Sequence, residues 1–342
     1  MPRSKPARIL SLETSCDETA CAILEDGQDL IASTIASQME IHARFGGVYP
    51  EVAARQHVLT VVPVVEQTLS KAHMAVSDMD AIAVTRGPGL AGSLVVGLNA
   101  AKGIALGSGL PLVGVNHLEG HIYSAWLRPP DEKSPSLPRF PLMALLVSGG
   151  HTELIFMKSH LVYQRLGATV DDAAGEAFDK VARLLELPYP GGPSIQTAAG
   201  EGNPHAIKFP RAWLEGTHNF SFSGLKTSVI KEIKRLQDAG KPIPVADMAA
   251  SFQEAVVEVL YKKTIQAAQE YQVRDIIIGG GVSANSLLRE KFLSQKEFKV
   301  HIPPLVFCTD NAAMIAMAGH HRFTRGHVDG MEMDILPTWP LS

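Results

Sequence analysis

Two stretches of this chain follow one plan, and that plan restricts the fold more than any other feature. Ile9–Leu12 is a short apolar run, followed by Glu13-Thr-Ser-Cys-Asp-Glu-Thr19 and a second run, Ala20–Leu24. Leu142–Val147 is again apolar, followed by Ser148-Gly-Gly-His-Thr152 and a further run to Met157. Short apolar runs bounded by small polar residues read as buried strands, so each stretch is strand, tight loop, strand. The copies share little identity, and the duplication is read from the pattern alone. A chain of 342 residues accommodates two domains or one large duplicated unit.

Between and after these stretches, strands and helices alternate. Asp26-Gly27 turns the chain into a third strand near Leu30–Ser37. A helix is expected from Glu51 to about Lys71, with Val58, Val62, Val65 and Leu69 on its apolar face and Pro63 loosening or kinking it. Ala81–Thr85 and Leu112–Val115 read as strands. The glycine-rich turn Arg86–Ser93 between them opens a helix ending near Gly107; it is either a helix start that favours anions or, the favoured reading, a turn whose glycines serve close packing. In the second half a helical face is expected at Phe178, Val181, Ala182 and Leu185, and Tyr189–Pro193 is expected to be a loop. A long helix near Ala246–Tyr271 precedes the strand Asp275–Ile278. The Gly279–Gly281 triplet after it lets a ligand approach the backbone, with Asn285 either bonding that ligand or capping the next helix.

Composition narrows the classes. The formal charge is -4, so any nucleic-acid contact must use a local patch. Three cysteines make no disulfide framework and suit a reducing compartment. No apolar run is long enough for a membrane span, and the basic segment Met1–Arg8 is too short for a signal or transit peptide, which makes the cytoplasm the default. Residues 199–245 are polar and Pro-containing. Within them Phe220-Ser-Phe-Ser-Gly-Leu-Lys-Thr227 interleaves aromatics, hydroxyls and a lysine, which reads either as an RNA contact or as an insertion with a solvated face.

The chemistry-bearing residues are few. His117 and His121 are four apart, so on a helix both imidazoles project from one face. They are either two ordinary helix histidines or two ligands of a divalent metal. Glu119 falls about 200° from His117 around a helix of about 3.6 residues per turn, so it is a poor candidate for a base beside that metal. Asp310, at the start of a small-residue helix, reads alone as an N-cap. It is also the best-placed carboxylate to complete a His-His-Asp set with open coordination positions, as in Fe(II) or catalytic Zn sites. The Glu13–Thr19 loop is either a hairpin with a polar turn or an anion-facing loop in which Asp17 and Glu18 orient a metal–phosphate complex or take a proton.

Eight stretches in order resemble one family. They are Glu13–Thr19, Thr85–Leu90, Asn116–His121, Leu146–His151, Asp172–Lys180, Phe220–Lys226, Gly279–Asn285 and Cys308–Ala313. Together they resemble the TsaD family, tRNA N6-adenosine threonylcarbamoyltransferases formerly described as O-sialoglycoprotein endopeptidases, from Ile9 to about Arg322. The resemblance implies an α/β, duplicated actin-like fold (the acetate and sugar kinase, Hsp70 and actin class), with two subdomains and a ligand cleft between them. The division expected is 8–125 for the first subdomain, 126–325 for the second with an insertion around 188–245, and 326–342 for a C-terminal tail.

The resemblance further implies transfer of threonylcarbamoyl from threonylcarbamoyl-adenylate to N6 of adenosine 37 in tRNAs reading codons that begin with A, with release of AMP. It implies one divalent metal on His117, His121 and Asp310, iron first and zinc second. The donor would be held by Leu146, Val147, Ser148, Gly149, Gly150, Asp179, Gly192 and Asn285, and Asp17 or Glu18 would be the base. Expected partners are tRNA, an inactive relative of the same fold and a P-loop ATPase, with no membrane. Ser11, Cys21, Tyr49 and Gln196 depart from the usual family residues, and only Gln196 touches a donor-lining stretch. The rival readings are an ATP-dependent small-molecule kinase of the same fold, a metallopeptidase, and a non-catalytic assembly subunit.

Overall fold

The computed structural model describes residues 6–128 and 136–341. Residues 1–5 of the basic Met1–Arg8 segment lie outside the described residues. In chain order the elements are β1 (Arg8–Glu13), β2 (Glu18–Glu25), β3 (Asp29–Ser37), α1 (Met39–Ala43), α2 (Pro50–Ala72), β4 (Ala81–Gly87), α3 (Ala91–Ser108), β5 (Leu112–Asn116) and α4 (His117–Tyr123). They continue as β6 (Leu142–Val147), β7 (Thr152–Ser159), β8 (Val162–Ala168), α5 (Ala174–Leu184), α6 (Gly191–Ala199), α7 (Ser223–Asp238), α8 (Val245–Glu270), β9 (Asp275–Gly279), α9 (Ser286–Ser294), β10 (Lys299–His301) and α10 (Ala312–Thr324).

The strands form two five-stranded mixed sheets, ordered β3-β2-β1-β4-β5 and β10-β9-β6-β7-β8. In the first, β1 pairs antiparallel with β2 and parallel with β4. In the second, β6 pairs antiparallel with β7 and parallel with β9. The two sheets therefore repeat one topology, as the twin strand–loop–strand segments imply. The chain divides into one compact unit of residues 1–137 with 303–342 and another of 138–302. This corrects the expected 126–325 and 326–342 divisions, because the chain returns to the first sheet after β10. Ala312–Gly319 of α10 is buried, and a Cβ on Gly319 would stand 2.6 Å from the Ala83 Cβ. Small residues thus let α10 lie close on the first sheet. Ser11 on β1 donates to the Ala312 carbonyl at 2.7 Å, using its hydroxyl to tie sheet and helix.

Helix α2 runs unbroken through Pro63; of its expected face Val65 is buried and Leu69 packs against the core, but Val58 and Val62 do not pack there. Ala53, His57, Val61, Val64, Val65 and Thr68 face inward, while Val58 and Val62 are 62% and 58% exposed. Hydropathy misjudged this face because two polar residues on it are satisfied. Thr68 donates to the Val64 carbonyl at 2.8 Å, and His57 Nδ1 lies 2.7 Å from Thr19 Oγ1.

The second unit holds two further corrections. Tyr189–Pro193 is not all loop, since α6 begins at Gly191. A proline in the first turn needs no N–H there, and Asp179 Oδ1 accepts the Gly191 N–H at 2.7 Å. The expected insertion is part of the core: Phe220 and Phe222 are buried, with ring centroids 6.4 Å apart, and α7 packs Leu225, Val229 and Ile233 inward. Those aromatics cannot serve as stacking platforms for RNA bases. Lys226 pairs with Asp172 at 3.2 Å.

Candidate metal centre

Strand β5 is wholly buried and delivers the chain into α4, whose seven residues are all buried as well. Asn116 ends the strand and caps the helix, its Oδ1 accepting the Leu118 N–H at 2.9 Å and the Glu119 N–H at 3.4 Å. The i, i+4 spacing then sets the His117 and His121 rings edge to face, with centroids 4.7 Å apart. Asp310 arrives from the segment before α10. Of its two readings the cap fails, for Asn311 caps this helix by accepting the Met314 N–H at 2.9 Å. Asp310 is thereby left to face the histidines. Its Oδ1 lies 3.5 Å from His117 Nε2 and 3.2 Å from His121 Nε2, and the three ligand atoms lie within 4.8 Å of one another.

Behind His117 stands a residue that sequence reasoning left without a role. Glu13, the fully buried last residue of β1, places Oε2 3.0 Å from His117 Nδ1. The same oxygen accepts the Thr85 hydroxyl at 2.6 Å, and Oε1 accepts the Ser15 N–H. A carboxylate on Nδ1 fixes the ring and turns Nε2 toward Asp310, the usual support of a metal-bound histidine. Its sequence signal was an acid ending an otherwise apolar strand.

The electrostatics match a cation site. Burial pushes the His117 imidazole down, but the Asp310 and Glu13 carboxylates outweigh it and hold its pKa up at about 10. Burial pushes Asp310 up, yet the two histidines bring it well below the carboxylate range. Burial lowers His121 and the neighbouring Asp310 carboxylate offsets this only in part; Nε2 lies 3.2 Å from that carboxylate out of hydrogen-bond geometry, and Nδ1 is buried without a bond. His121 Nε2, buried beside the Asp310 carboxylate without a formed hydrogen bond, is what a divalent ion would satisfy. The donor set therefore fits a metal.

The loop between β1 and β2 is held from several sides. The Cys16 carbonyl accepts from His57 Nε2 at 2.9 Å and from the Ser93 hydroxyl at 3.3 Å, and the Ser15 carbonyl accepts the Leu90 N–H at 2.8 Å. A Cβ on Gly89 would lie 2.6 Å from the Ser15 oxygen, and one on Gly97 would lie 2.2 Å from Thr14 Oγ1. Gly89 before α3 and Gly97 within it thus serve close packing against this loop. Glu18 Oε1 accepts the Ser37 hydroxyl at 2.8 Å, whereas Oε2 is buried without a partner. Burial pushes this carboxyl up, the Ser37 bond pulls it down, and the charges of Asp17 and Asp310 push it up again, to about 7. Burial and the same acids raise the Cys16 thiol well above its ordinary value, so it is no thiolate nucleophile.

The TsaD family model, "tRNA N6-adenosine threonylcarbamoyltransferase", matches residues 29–317. The relative so named in Dehalococcoides mccartyi is 52% identical over 330 residues, covering 96% of this chain and 98% of that protein. The chain belongs to the TsaD family. A second member, from Anoxybacillus flavithermus, is 52% identical over 335 residues, covering 96% of each chain. Among solved structures, HypF of T. kodakarensis matches with a TM-score of 0.64 at 13% identity, over 95% of this chain and 49% of that one. Component A of (R)-2-hydroxyglutaryl-CoA dehydratase from Acidaminococcus fermentans matches with a TM-score of 0.51 at 16% identity, over 94% of this chain and 100% of that one. At such identities these two bear on the fold alone.

The TsaD motif residues of the second unit are placed as follows. Leu146 and Val147 are buried strand residues, so only their backbone can meet a ligand. Ser148, Gly149 and Gly150 form the turn after β6, where the Ser148 N–H bonds the His151 carbonyl at 2.8 Å and a Cβ on either glycine would meet nothing. Gly192 likewise has open space, while burial raises the Asp179 carboxyl despite its bond from Gly191. Asn285 caps α9 through the Leu288 N–H at 3.0 Å, and its Nδ2 donates to Gln253 Oε1 at 2.7 Å. The departure at Gln196 is accommodated, since its Oε1 accepts the Ser286 N–H at 2.7 Å.

Proposed function

We propose that this chain is a metal-dependent tRNA N6-adenosine threonylcarbamoyltransferase. The observation that carries the reading is 52% identity to a protein of that name across 96% of the chain. The donor is threonylcarbamoyl-adenylate and the acceptor is N6 of adenosine 37 in tRNAs reading codons that begin with A. The N6–carbonyl bond forms, the carbonyl–phosphate anhydride bond breaks, and AMP leaves with the bonding electron pair. The exocyclic amine is a weak nucleophile, because its lone pair is delocalised into the ring. Orientation and charge stabilisation must therefore supply most of the acceleration, and the adenine must leave its stack to be reached.

His117, His121 and Asp310 would hold one divalent ion, Fe2+ first and Zn2+ second, which when bound supplies Lewis acidity toward a donor oxygen. Glu13 keeps His117 in its ligating orientation. Glu18, titrating at about 7, takes the N6 proton, with Asp17 beside it in the loop. In the second unit the N–H groups of Gly149 and Gly150 cradle the donor phosphate, Leu146, Val147 and Ser148 contribute main chain, and Asp179, Gly192 and Asn285 complete the donor site. The repeated sheet topology and the HypF likeness support placing the fold in the actin-like class. Expected partners are tRNA, an inactive relative of the same fold and a P-loop ATPase. Among the described residues no helix is long and apolar enough to cross a membrane, and the cytoplasm is the proposed compartment.

The rival peptidase reading is disfavoured by Glu119. This carboxylate binds Arg322 Nε at 2.6 Å and so is not free to act as a base at the metal face. A kinase gains nothing from a two-histidine site. The deciding experiment is single-turnover transfer from preformed threonylcarbamoyl-adenylate to unmodified tRNA, with and without the partners. Modified adenosine that disappears in His121→Ala supports the reading. Absence of product with all partners present, together with ATP turnover on a sugar, refutes it in favour of a kinase.

A further inference from the structure

The ligands come from two elements, α4 and the segment leading into α10, so any metal site needs those elements held in register. Gly120 lets them approach: a Cβ there would stand 2.8 Å from Ile315 Cδ1. Glu119, between the two histidines, is fully buried and reaches the opposite way, to Arg322 at the far end of α10. The Tyr123 ring lies 4.8 Å from that of His321, a second tie between the same helices.

The C-terminal segment closes over this pair. The Asp329 N–H donates to the Leu112 carbonyl and the Leu336 N–H to the Arg86 carbonyl, both at 2.8 Å, while Met333 and Leu341 are buried. Gly87, at φ 153°, admits the segment so closely that a Cβ would sit 1.8 Å from the Leu336 oxygen. The Trp339 carbonyl then accepts from Asn116 Nδ2 at 3.0 Å, and Asn116 is the cap of α4. The Trp339 ring lies against two guanidiniums, Arg322 at 5.8 Å and Arg86 at 5.7 Å. Arg322 is thus bracketed by a buried carboxylate and an aromatic ring.

We infer that Trp339 and Arg322 are positioning residues for the metal centre. The C-terminal strap seats Arg322 on Glu119 and so keeps α4 and α10 at the separation at which His117, His121 and Asp310 converge. A strap that only covered apolar surface would have no reason to bond the cap of the metal helix and to stack on the one arginine that joins its two supports. The inference rests on the metal reading above, and the test separates the two.

Metal-free full-length chain is titrated with Co(II) alone, following the visible d–d absorption. Wild type is expected to develop bands and His121→Ala to lose them; a wild type without bands overturns the metal reading and the inference with it. Groups bonded directly to a ligand commonly matter by about 10- to 100-fold in affinity; Trp339 acts one step further out, and Trp339→Ala is expected to raise the Co(II) Kd severalfold, up to about the lower end of that range. Trp339→Phe keeps an aromatic face and should restore most of the affinity. Arg322→Lys, which keeps the charge but loses the planar fork, should weaken binding and alter the band shape. Thermal unfolding of each metal-free variant accompanies the titration. Wild-type Kd and spectrum in folded Trp339→Ala and Arg322→Lys would overturn the inference, and so would Kd values that follow the metal-free Tm regardless of the side chain introduced.

Discussion

Replacing Glu18 by Gln should flatten the pH dependence of threonylcarbamoyl transfer. The charges facing this carboxyl are Asp17 in its own loop and Asp310 before α10, and Ser37 on β3 supplies its one hydrogen bond, with a resulting pKa of about 7. A base of that strength is about 3% ionised at pH 5.5 and about 90% ionised at pH 8, so wild-type single-turnover rates should climb roughly 30-fold over this range. A carboxyl at its ordinary value would be ionised throughout and give almost no slope. Burial is the largest cause of the shift and is unaffected by a metal, whereas Asp310 is the smallest. A divalent cation on Asp310 replaces its negative charge by net positive charge, which moves the inflection below 7 and reduces the climb. The assay is transfer from preformed donor to saturating tRNA between pH 5.5 and 8. A flat wild-type profile refutes the argument, as does a slope that survives in Glu18→Gln. Stability supplies an independent check. The folded carboxyl titrates above its unfolded value, so its contribution is full below about 4.5 and is lost as pH rises through about 7. In urea unfolding, Glu18→Gln should gain on wild type between pH 5 and pH 8.

Two further outcomes test the packing. Gly97→Val should slow transfer and destabilise the first unit, because even a Cβ would stand 2.2 Å from Thr14 Oγ1; unchanged urea midpoints would show that the loop yields freely. Phe220→Ala removes a fully buried ring from the second core and should cost about 3–5 kcal/mol in urea unfolding. A near-neutral result accompanied by weaker tRNA binding would restore this segment as an RNA contact.

The strands of both repeated segments and the α4 histidine pair were legible because each follows from local spacing. That Asp310 meets the two histidines was legible from residue chemistry. The boundaries of α2 were read correctly and its face only at Val65 and Leu69, since burial of His57 and Thr68 depends on hydroxyl and carbonyl partners distant in sequence. Asp310 and Asn311 are equally good caps by type, and only the backbone path decides that Asn311 bonds the Met314 N–H. Phe220 and Phe222 alternate with serines, which suggested an exposed strip. The intervening Ser221 and Ser223 instead bond Asp171, leaving both rings to the core. That α10 joins the first unit is a contact across some 300 residues, typified by the Ser11 bond to Ala312, and no local pattern announces it.

The two copies of the strand–loop–strand plan have been given opposite electrostatics. β1 and β6 are each six residues long and β2 and β7 each eight, with four-residue loops between them. The first unit places Glu13, Asp17 and Glu18 in and beside its loop and Asp310 nearby, a set suited to a cation. The second places Ser148, Gly149 and Gly150 at the same point, without a carboxylate and with open backbone, a set suited to an anion. If this division is right, metal and nucleotide binding separate cleanly by mutation. Asp179, proposed to accept a ribose hydroxyl of the nucleotide, loses its charge in Asp179→Asn while the new amide oxygen can still accept the Gly191 N–H, and AMP binding should weaken by about tenfold, the loss of roughly one charge-assisted hydrogen bond to the ribose. It should leave Co(II) affinity unchanged. His121→Ala should do the reverse, abolishing the Co(II) spectrum while AMP still binds in isothermal titration. Loss of both ligands in either variant would mean that the two loops do not divide the work by charge, and that their shared topology, not their composition, sets what they bind.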